Sequence, residues 1–324
     1  MNQLYKVIGI SKQSFHQRMD RLRIVLSEQK QLLILIYQIR EDHPTMGVRD
    51  MYYKLKPESM GRDAFEYFCR SECLMSKKPK NWHRTTDSTG VVRFDNLLFN
   101  LTITRINQVW QSDITYFELN GKFYYITFIM DAFSRRILGY NLSKRLLTEH
   151  TTLPALEMAI NQRIKKSENL NNLIFHSDGG GQYYDKEFLR LTSKYNFINS
   201  MCEYAWENGK AERLNGVIKN NYLKHRRINS FGDLQKEVDR SVFLYNNDKP
   251  HIELQRKSPI EFENDYICNG QQTDGEKSAT ELKTQYEGCL YSPSGFGQQT
   301  SGSNIVLELK TQRVKKKVKT VNVI

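Results

Sequence analysis

Residues 109–136, VWQSDITYFELNGKFYYITFIMDAFSRR, contain the strongest fold signal in the chain. Apolar and polar residues alternate on both sides of Asn120 and Gly121, a residue pair that favours a tight β-hairpin turn. The adjoining RILGYNL, residues 136–142, predicts a third strand that completes a meander. One residue is out of place in a plain strand pair, because the first strand carries a carboxylate, Asp113, in its middle.

Helices and strands alternate after this meander. The last predicted helix has a capping pattern at its start, with Ser230 followed three residues later by Asp233. Strands first, then helices and strands in alternation, predict an α/β domain with a mixed sheet. The predicted elements are a helix at 146–164, a strand at 171–178, a helix at 185–195, a strand at 197–203 and helices at 206–225 and 230–248.

The charge balance points to a polyanionic partner. The chain has 324 residues, with 48 Lys plus Arg against 36 Asp plus Glu, a net charge of +12 and a pI near 9.3. Nucleic acid therefore ranks ahead of an acidic membrane surface as a partner. The longest aliphatic run, LLILI at 32–36, is too short to cross a bilayer, and MNQLYK is not a secretory signal. Five cysteines without a repeating spacing fit a reducing compartment, so we expect a cytoplasmic protein.

Residues 1–75 predict a small all-α, helix-turn-helix-like DNA-binding region. LYKVIGISKQSFHQRMDRL, residues 4–22, is typical of a helix, a turn at Gly9 and a second helix capped by Ser11. A longer helix is expected at 27–41, followed by two short helical pieces. A plain αα-hairpin fits the same pattern. In the helix-turn-helix interpretation the second helix presents these side chains to DNA: Lys12, Gln13, His16, Gln17 and Arg18.

Two further segments lack a hydrophobic period. Residues 76–105 are basic and contain proline, which predicts a linker that either follows DNA phosphates or is simply solvated. Residues 264–324 are rich in polar residues and end in RVKKKVK at 313–319. This composition predicts a largely disordered tail with a basic terminus.

Three carboxylates occupy positions where secondary structure begins or ends. Asp113 lies on the first strand, Asp178 ends another strand, and Glu212 is in the first turns of a helix. Each alone fits an ordinary role: an edge-strand charge, a turn cap or a solvated helix face. Together they converge, because strand ends and helix starts of one α/β sheet meet at a common crevice. Such carboxylates repel unless cations bind, and Mg²⁺ prefers these ligands. Magnesium bound there suits phosphoryl transfer on nucleic acid.

Four stretches carry a family resemblance. They are NQVWQSDITYFELNGKFYYITFIMDAFSRRILGY, HSDGGGQY, ENGKAERLNGVIKNNYL and YNNDKPHIELQRKSPIEF. In this order they resemble the DDE (Asp, Asp, Glu) integrase core of retroviral integrases and bacterial transposases. The similarity is greatest to the second-reading-frame transposase of the insertion-sequence three family, and it spans about residues 1–263.

The resemblance implies an RNase H-like catalytic core at residues 106–263. Asp113, Asp178 and Glu212 would be its catalytic triad and the ligands of two magnesium ions, for which manganese can substitute. Lys219 matches the family's basic residue that contacts the DNA end. Only 33 residues separate Asp178 from Glu212, a couple fewer than usual in the family, so Glu203 and Glu207 remain alternatives to Glu212.

Two more residues near the triad have expected supporting roles. His176 precedes Asp178 by two residues and would share its face of the strand, which makes it a candidate to support that carboxylate. Asp131 is expected to pair with Arg135 or Arg136 and to hold the meander together.

The resemblance also implies a reaction and its partners. A transposase would nick the terminal inverted repeats of its element and join the freed 3′-hydroxyl to target DNA, without a covalent enzyme intermediate. An upstream-frame subunit and a synaptic homo-oligomer are implied, in the cytoplasm at the nucleoid. The alternatives are a catalytically silent DNA-binding protein derived from a transposase, a phage-like integrase and an RNase H-type nuclease.

Overall fold

The computed structural model describes residues 5, 7, 9–76, 94–165, 168–202 and 205–274. The chain divides into two compact units, a helical unit and a larger unit that contains the sheet. No helix in these described ranges is long and apolar enough to cross a membrane.

The larger unit is built on a five-stranded mixed sheet in the order β3-β2-β1-β4-β5. The first three strands are antiparallel neighbours, whereas β4 runs parallel to β1 and β5 runs parallel to β4. Helices cover both faces, which confirms the predicted RNase H-like fold class. The strands are β1 Val109–Leu119, β2 Lys122–Asp131, β3 Ile137–Ser143, β4 Ile174–Ser177 and β5 Ile198–Met201.

The hairpin between β1 and β2 forms at the predicted turn. Asn120 and Gly121 both have positive φ angles, 53° and 71°, as a type I′ turn requires. This turn sets the register of the two strands, in which Asp113 lies opposite Phe128.

Two apolar cores lie on the two faces of the sheet. One face packs against helices α4 and α5 around Trp110, Phe175 and Phe188. The other packs against α6 and α7 around Phe128 and Leu214, so the capping box predicted at Ser230 and Asp233 does begin a core helix. These helices are α4 Thr152–Ile164, α5 Lys186–Lys194, α6 Gly209–Val217 and α7 Phe231–Asn247.

A buried ion cluster fixes helix α8, Pro259–Asp274, to the rest of the sheet unit. Glu263 accepts hydrogen bonds from Arg163 at 2.5 Å and from Arg136 at 2.6 Å. All three side chains are buried. Although burial alone would raise the pKa of Glu263, the two guanidinium groups hold it below its usual value.

Asp131 holds the end of β2, but with different partners from those expected. Its carboxylate accepts backbone N–H groups of Asn107, Phe133 and Ser134 at 2.7–2.9 Å and lies 3.6 Å from Arg163. The Asp131 carboxylate does not make the expected ion pair, because the Arg136 guanidinium is bound to Glu263 and that of Arg135 to Glu253. Asp131 pairs with both arginines only through main-chain hydrogen bonds of 2.9 Å.

The helical unit contains α1 Lys12–Asp42, α2 Val48–Leu55 and α3 Arg62–Ser71. Its core joins the C-terminal part of α1 to the other two helices around Ile36, Met51 and Phe65. The turn at Gly9 has a φ of 69°, and Ser11 caps α1 through its Oγ, which accepts the N–H of Ser14 at 3.1 Å. The separate helix expected at 27–41 is not separate, because no breaker interrupts residues 20–27 and α1 is continuous.

Two predicted boundaries differ from the structure. Residues 264–274, expected in the disordered tail, continue α8, whose Phe262 and Tyr266 pack their rings on Phe133. The end of the predicted linker is bound to β5, since Asp95 accepts the N–H of Met201 through its carbonyl. Residues 77–93 of the linker and the tail after residue 274 lie outside the described residues.

Candidate active site

Asp113 and Asp178 occupy equivalent places on neighbouring parallel strands. The ladder of β1 and β4 pairs Val109 with Ile174 and Gln111 with His176. Two more steps in this register bring Asp113 opposite Asp178, the first residue after β4. Adjacent strands are about 4.8 Å apart, so the strand pairing alone places the two carboxylates side by side.

Glu212 reaches the same place from a helix. It is in the first turn of α6, which packs on the face of the sheet where Asp113 lies. Burial, the charge of Asp178 and the charge of Glu212 together raise the pKa of Asp113 to about 7. Burial also raises the pKa of Asp178, whose Oδ1 accepts the N–H of Gly180 at 3.1 Å. The three acids are therefore close enough to share one electrostatic environment.

The two alternatives to Glu212 are less well supported. The charge of Glu207 acts on His176 and Cys202, whereas that of Glu212 acts on Asp113. Glu203 lies outside the described residues. The electrostatic coupling to Asp113 thus favours Glu212 as the third acid.

Two asparagines at the site were missed by sequence reasoning. Asn215 Nδ2 donates to Asp113 Oδ2 at 2.8 Å, and Asn208 Nδ2 donates to the carbonyl of Ser112 at 2.9 Å. Both are buried, and the amide oxygen of each has no hydrogen-bond partner among the described residues. A sequence signal for Asn215 existed, since it follows Glu212 by three residues and so lies on the same side of α6.

The donor set fits a hard divalent cation. Three carboxylates and the two unpartnered amide oxygens are the oxygen ligands that magnesium or its bound water prefers. Among the described residues no three acidic, His or Cys side chains stand close enough to form a closed metal site.

Lys219 lies beside the acids on an irregular stretch of helix. After Val217 the backbone makes a π-helical turn, Ile218–Tyr222, a feature that is frequent at functional sites. Lys219 Nζ donates to the carbonyl of Tyr116 at 3.2 Å and lies 4.9 Å from the centre of its ring. Burial and Lys224 lower the pKa of Lys219, while Asp113 raises it. The charge of Lys219 is therefore close enough to Asp113 to interact with it.

His176 is buried on β4, but its observed contact is with β5. Its Nδ1 lies 3.0 Å from Ser200 Oγ, which donates to the carbonyl of Asp95. Burial lowers the pKa of His176 to about 4, so the ring is neutral near pH 7. A supporting role toward Asp178 stays a prediction.

The predicted DNA-binding residues of the helical unit are all on one exposed stretch. No side chain of α1 is buried before Leu32. Lys12, Gln13, His16, Gln17 and Arg18 are exposed there, available to a partner.

Comparisons with known proteins place this site in a family. The family description "Integrase core domain" matches residues 103–205, and a second description of the same name matches residues 196–259. The two matches include Asp113, Asp178 and Glu212. The chain is 28% identical over 273 residues to an uncharacterized 31 kDa protein of insertion element IS600 from Shigella sonnei, covering 81% of this chain and 97% of that protein.

Other relatives are transposases. The chain is 25% identical over 189 residues to the putative IS150 transposase of Escherichia coli, covering 58% of this chain and 65% of that protein. It is 28% identical over 166 residues to the IS3A transposase of the same organism, covering 49% of this chain and 54% of that protein. The chain thus spans less than two thirds of these two relatives.

The chain also aligns with a solved structure, the HTLV-2 integrase catalytic core domain in complex with magnesium. The TM-score is 0.38 and the sequence identity 20%, and the alignment covers 48% of this chain and 94% of the integrase domain. The assignment rests instead on the family matches, the relatives and the strand order. The chain therefore has an integrase core domain over residues 103–259, and its relatives support an insertion-sequence transposase of the IS3 family and the DDE type.

Proposed function

We propose that this transposase cuts DNA at the ends of its own insertion sequence and joins the freed 3′-hydroxyl to a phosphate of target DNA. One observation carries the proposal: the β1 and β4 register sets Asp113 opposite Asp178, and the charge of Glu212 acts on Asp113. Both steps are phosphoryl transfers at the same three carboxylates, so no nucleophilic side chain is needed.

The chain's residues have separate tasks in this reaction. Asp113, Asp178 and Glu212 would hold two magnesium ions, for which manganese substitutes. When bound, the metal supplies a means to activate the attacking oxygen and to stabilise the leaving one. Asn215 fixes the orientation of the Asp113 carboxylate through its 2.8 Å hydrogen bond. Lys219 holds a phosphate of the DNA end.

The proposal includes partners and a location. The substrates are the terminal inverted repeats and the target duplex, and the exposed polar residues of α1 contribute DNA contacts. An upstream-frame subunit supplies much of the end recognition, and a synaptic homo-oligomer holds two ends together. The reaction takes place in the cytoplasm, on nucleoid DNA.

Junction sequencing tests this proposal. A plasmid carrying the gene, the DNA on both sides and any upstream reading frame is introduced into cells, and new DNA junctions are sequenced. We expect junctions with a fixed end of the flanking DNA and varied targets, and their loss in Asp178→Asn. Glu212→Gln and Glu207→Gln form a matched pair, in which only the former should abolish junctions. Unchanged junctions in Asp178→Asn would refute the proposal.

A further inference from the structure

A cavity of about 430 Å³ adjoins the triad within the sheet unit. Gln111 forms part of its wall and precedes Asp113 by two residues, so the two side chains lie on the same face of β1, about 7 Å apart along the strand. Half-buried apolar side chains of the segment before β1, Leu98, Leu101 and Ile103, form another wall. The cavity thus has one apolar wall in an otherwise mostly polar lining, close to Asp113.

Gln111 leaves an unusual polar atom at this cavity. The residue is only 4% exposed, and its Oε1 has no hydrogen-bond partner in the described part of the chain. Its neighbour on β4, His176, also has an unpartnered buried nitrogen, Nε2. A buried acceptor without a donor destabilises the protein, and a bound ligand with an N–H group would supply the missing hydrogen bond.

The open side of the cavity is cationic. Arg135, Lys210 and Arg213 line it and outnumber the one carboxylate among its described lining residues, Glu207. Arg135 and Arg213 share the carboxylate of Glu253. A carboxylate shared by two guanidinium groups occupies a place that suits a phosphate. Lys210 Nζ donates to the carbonyl of Ala132 at 3.0 Å, which keeps its charge at the rim.

We propose that this cavity, the flank pocket, binds one unpaired nucleotide of the DNA strand beside the phosphate that is cut. The inference rests on the proposed function and adds to it a subsite for the substrate. The base lies against Leu98 and Leu101, its N–H groups donate to Gln111 Oε1, and its phosphate replaces Glu253 between Arg135 and Arg213.

The nucleotide must be unpaired for a chemical reason. In a duplex the N–H groups on the Watson–Crick edge are occupied by the opposite base, and the base faces are covered by their neighbours. Once the base leaves the stack, those groups are free to meet a buried acceptor and an apolar wall. Opening a base pair costs free energy, so DNA that is already unpaired should bind more tightly.

The test compares two labelled duplexes without divalent metal, so that no strand is cut. One is a fully paired duplex of about 30 base pairs and the other has one unpaired nucleotide at its centre. Fluorescence anisotropy of the full-length protein should show about tenfold tighter binding of the second duplex. Gln111→Leu, which removes the unpartnered oxygen but keeps the bulk, and Lys210→Met should each bring this ratio close to one.

Two further variants make the test specific. Lys186→Met removes an exposed charge from α5, on the other face of the sheet, and should keep the tenfold ratio. Glu253→Gln releases the two arginines and should tighten binding of the unpaired duplex by about two- to fivefold. Equal binding of both duplexes by the wild type would overturn the flank pocket, as would a ratio that survives in Gln111→Leu and Lys210→Met.

The duplex-binding test of the flank pocket and the junction test of the transposase reaction can fail independently of each other. Loss of junctions in Asp178→Asn together with equal binding of the two duplexes would reject the pocket and keep the transposase reaction. A tenfold ratio that depends on Gln111, with unchanged junctions in Asp178→Asn, would keep the pocket and reject the reaction.

Discussion

Among the three acids, Asp113 is the one whose raised pKa most clearly lowers the stability of the folded protein at neutral pH. Burial, Asp178 and Glu212 raise its pKa to about 7, so the folded protein holds a proton there that the unfolded chain has lost near pH 4. The folded state binds the extra proton between these two values, and the free energy of unfolding therefore falls as pH rises from about 4 to about 7.

In metal-free protein, Asp113→Asn should abolish this fall in the free energy of unfolding with rising pH. We expect the variant to be more stable than the wild type at pH 8, by on the order of 2 kcal/mol, and the difference to shrink toward pH 5. Urea unfolding with a chelator at several pH values measures it. A difference that does not change with pH would contradict the assigned cause.

The sequence could identify the acids but not their supporting amides. Asp113, Asp178 and Glu212 each fit an ordinary role alone, and they became candidates because they stand together at strand ends and a helix start and match the family's motifs in order. Gln111 and Asn215 look like ordinary polar residues in a strand and a helix. Their importance depends on amide oxygens that are buried without partners, which only the folded arrangement reveals.

Among the elements, β3 and α4 approach each other closely at Gly139. A Cβ atom on Gly139 would lie 2.0 Å from the carbonyl oxygen of Ala155. Gly139→Ala should therefore separate the helix from the sheet and lower the free energy of unfolding by roughly 3 kcal/mol or more.

Thermal unfolding measures this effect, with Gly232→Ala as the control. Gly232 is in the first turn of α7, where an added Cβ meets nothing closer than 3.8 Å, so alanine should be neutral or slightly stabilising. Equal melting temperatures for the two variants would show that β3 and α4 are not tightly packed.

The attachment of α8 depends on one buried carboxylate. Glu263→Gln leaves Arg163 and Arg136 in the core without their anion and should cost about 3–5 kcal/mol. Asn264→Ala, an exposed change in the same helix, should stay within about 0.5 kcal/mol of the wild type. Chemical denaturation compares them, and a Glu263→Gln variant as stable as the control would disprove the role of the cluster.

Local patterns predicted element types better than element ends. Turn and cap residues such as Asn120, Gly121 and Ser230 act within a few positions, and the structure confirms them. The extension of α8 to Asp274 depends on ring contacts of Tyr266 with Phe133, more than a hundred residues away. Contacts of that kind are not visible in a local pattern.

At the scale of the whole molecule, the net charge of +12 predicts DNA binding that weakens with salt. The double change Lys12→Ala and Arg18→Ala should reduce the slope of log K against log salt by up to about 2, since each phosphate contact contributes about 0.9. The double change Lys186→Ala and Arg190→Ala on α5 alters the net charge equally and should leave the slope nearly unchanged. Equal slopes for the two double variants would remove α1 from the DNA interface.

The most direct test of the proposed metal site is to measure magnesium binding to the protein by titration calorimetry at pH 8. The wild type should bind magnesium, each of Asp113→Asn, Asp178→Asn and Glu212→Gln should weaken binding by about tenfold or more, and Glu207→Gln should not. Equal magnesium affinity in the wild type and the three triad variants would contradict the assignment of these carboxylates as the metal site.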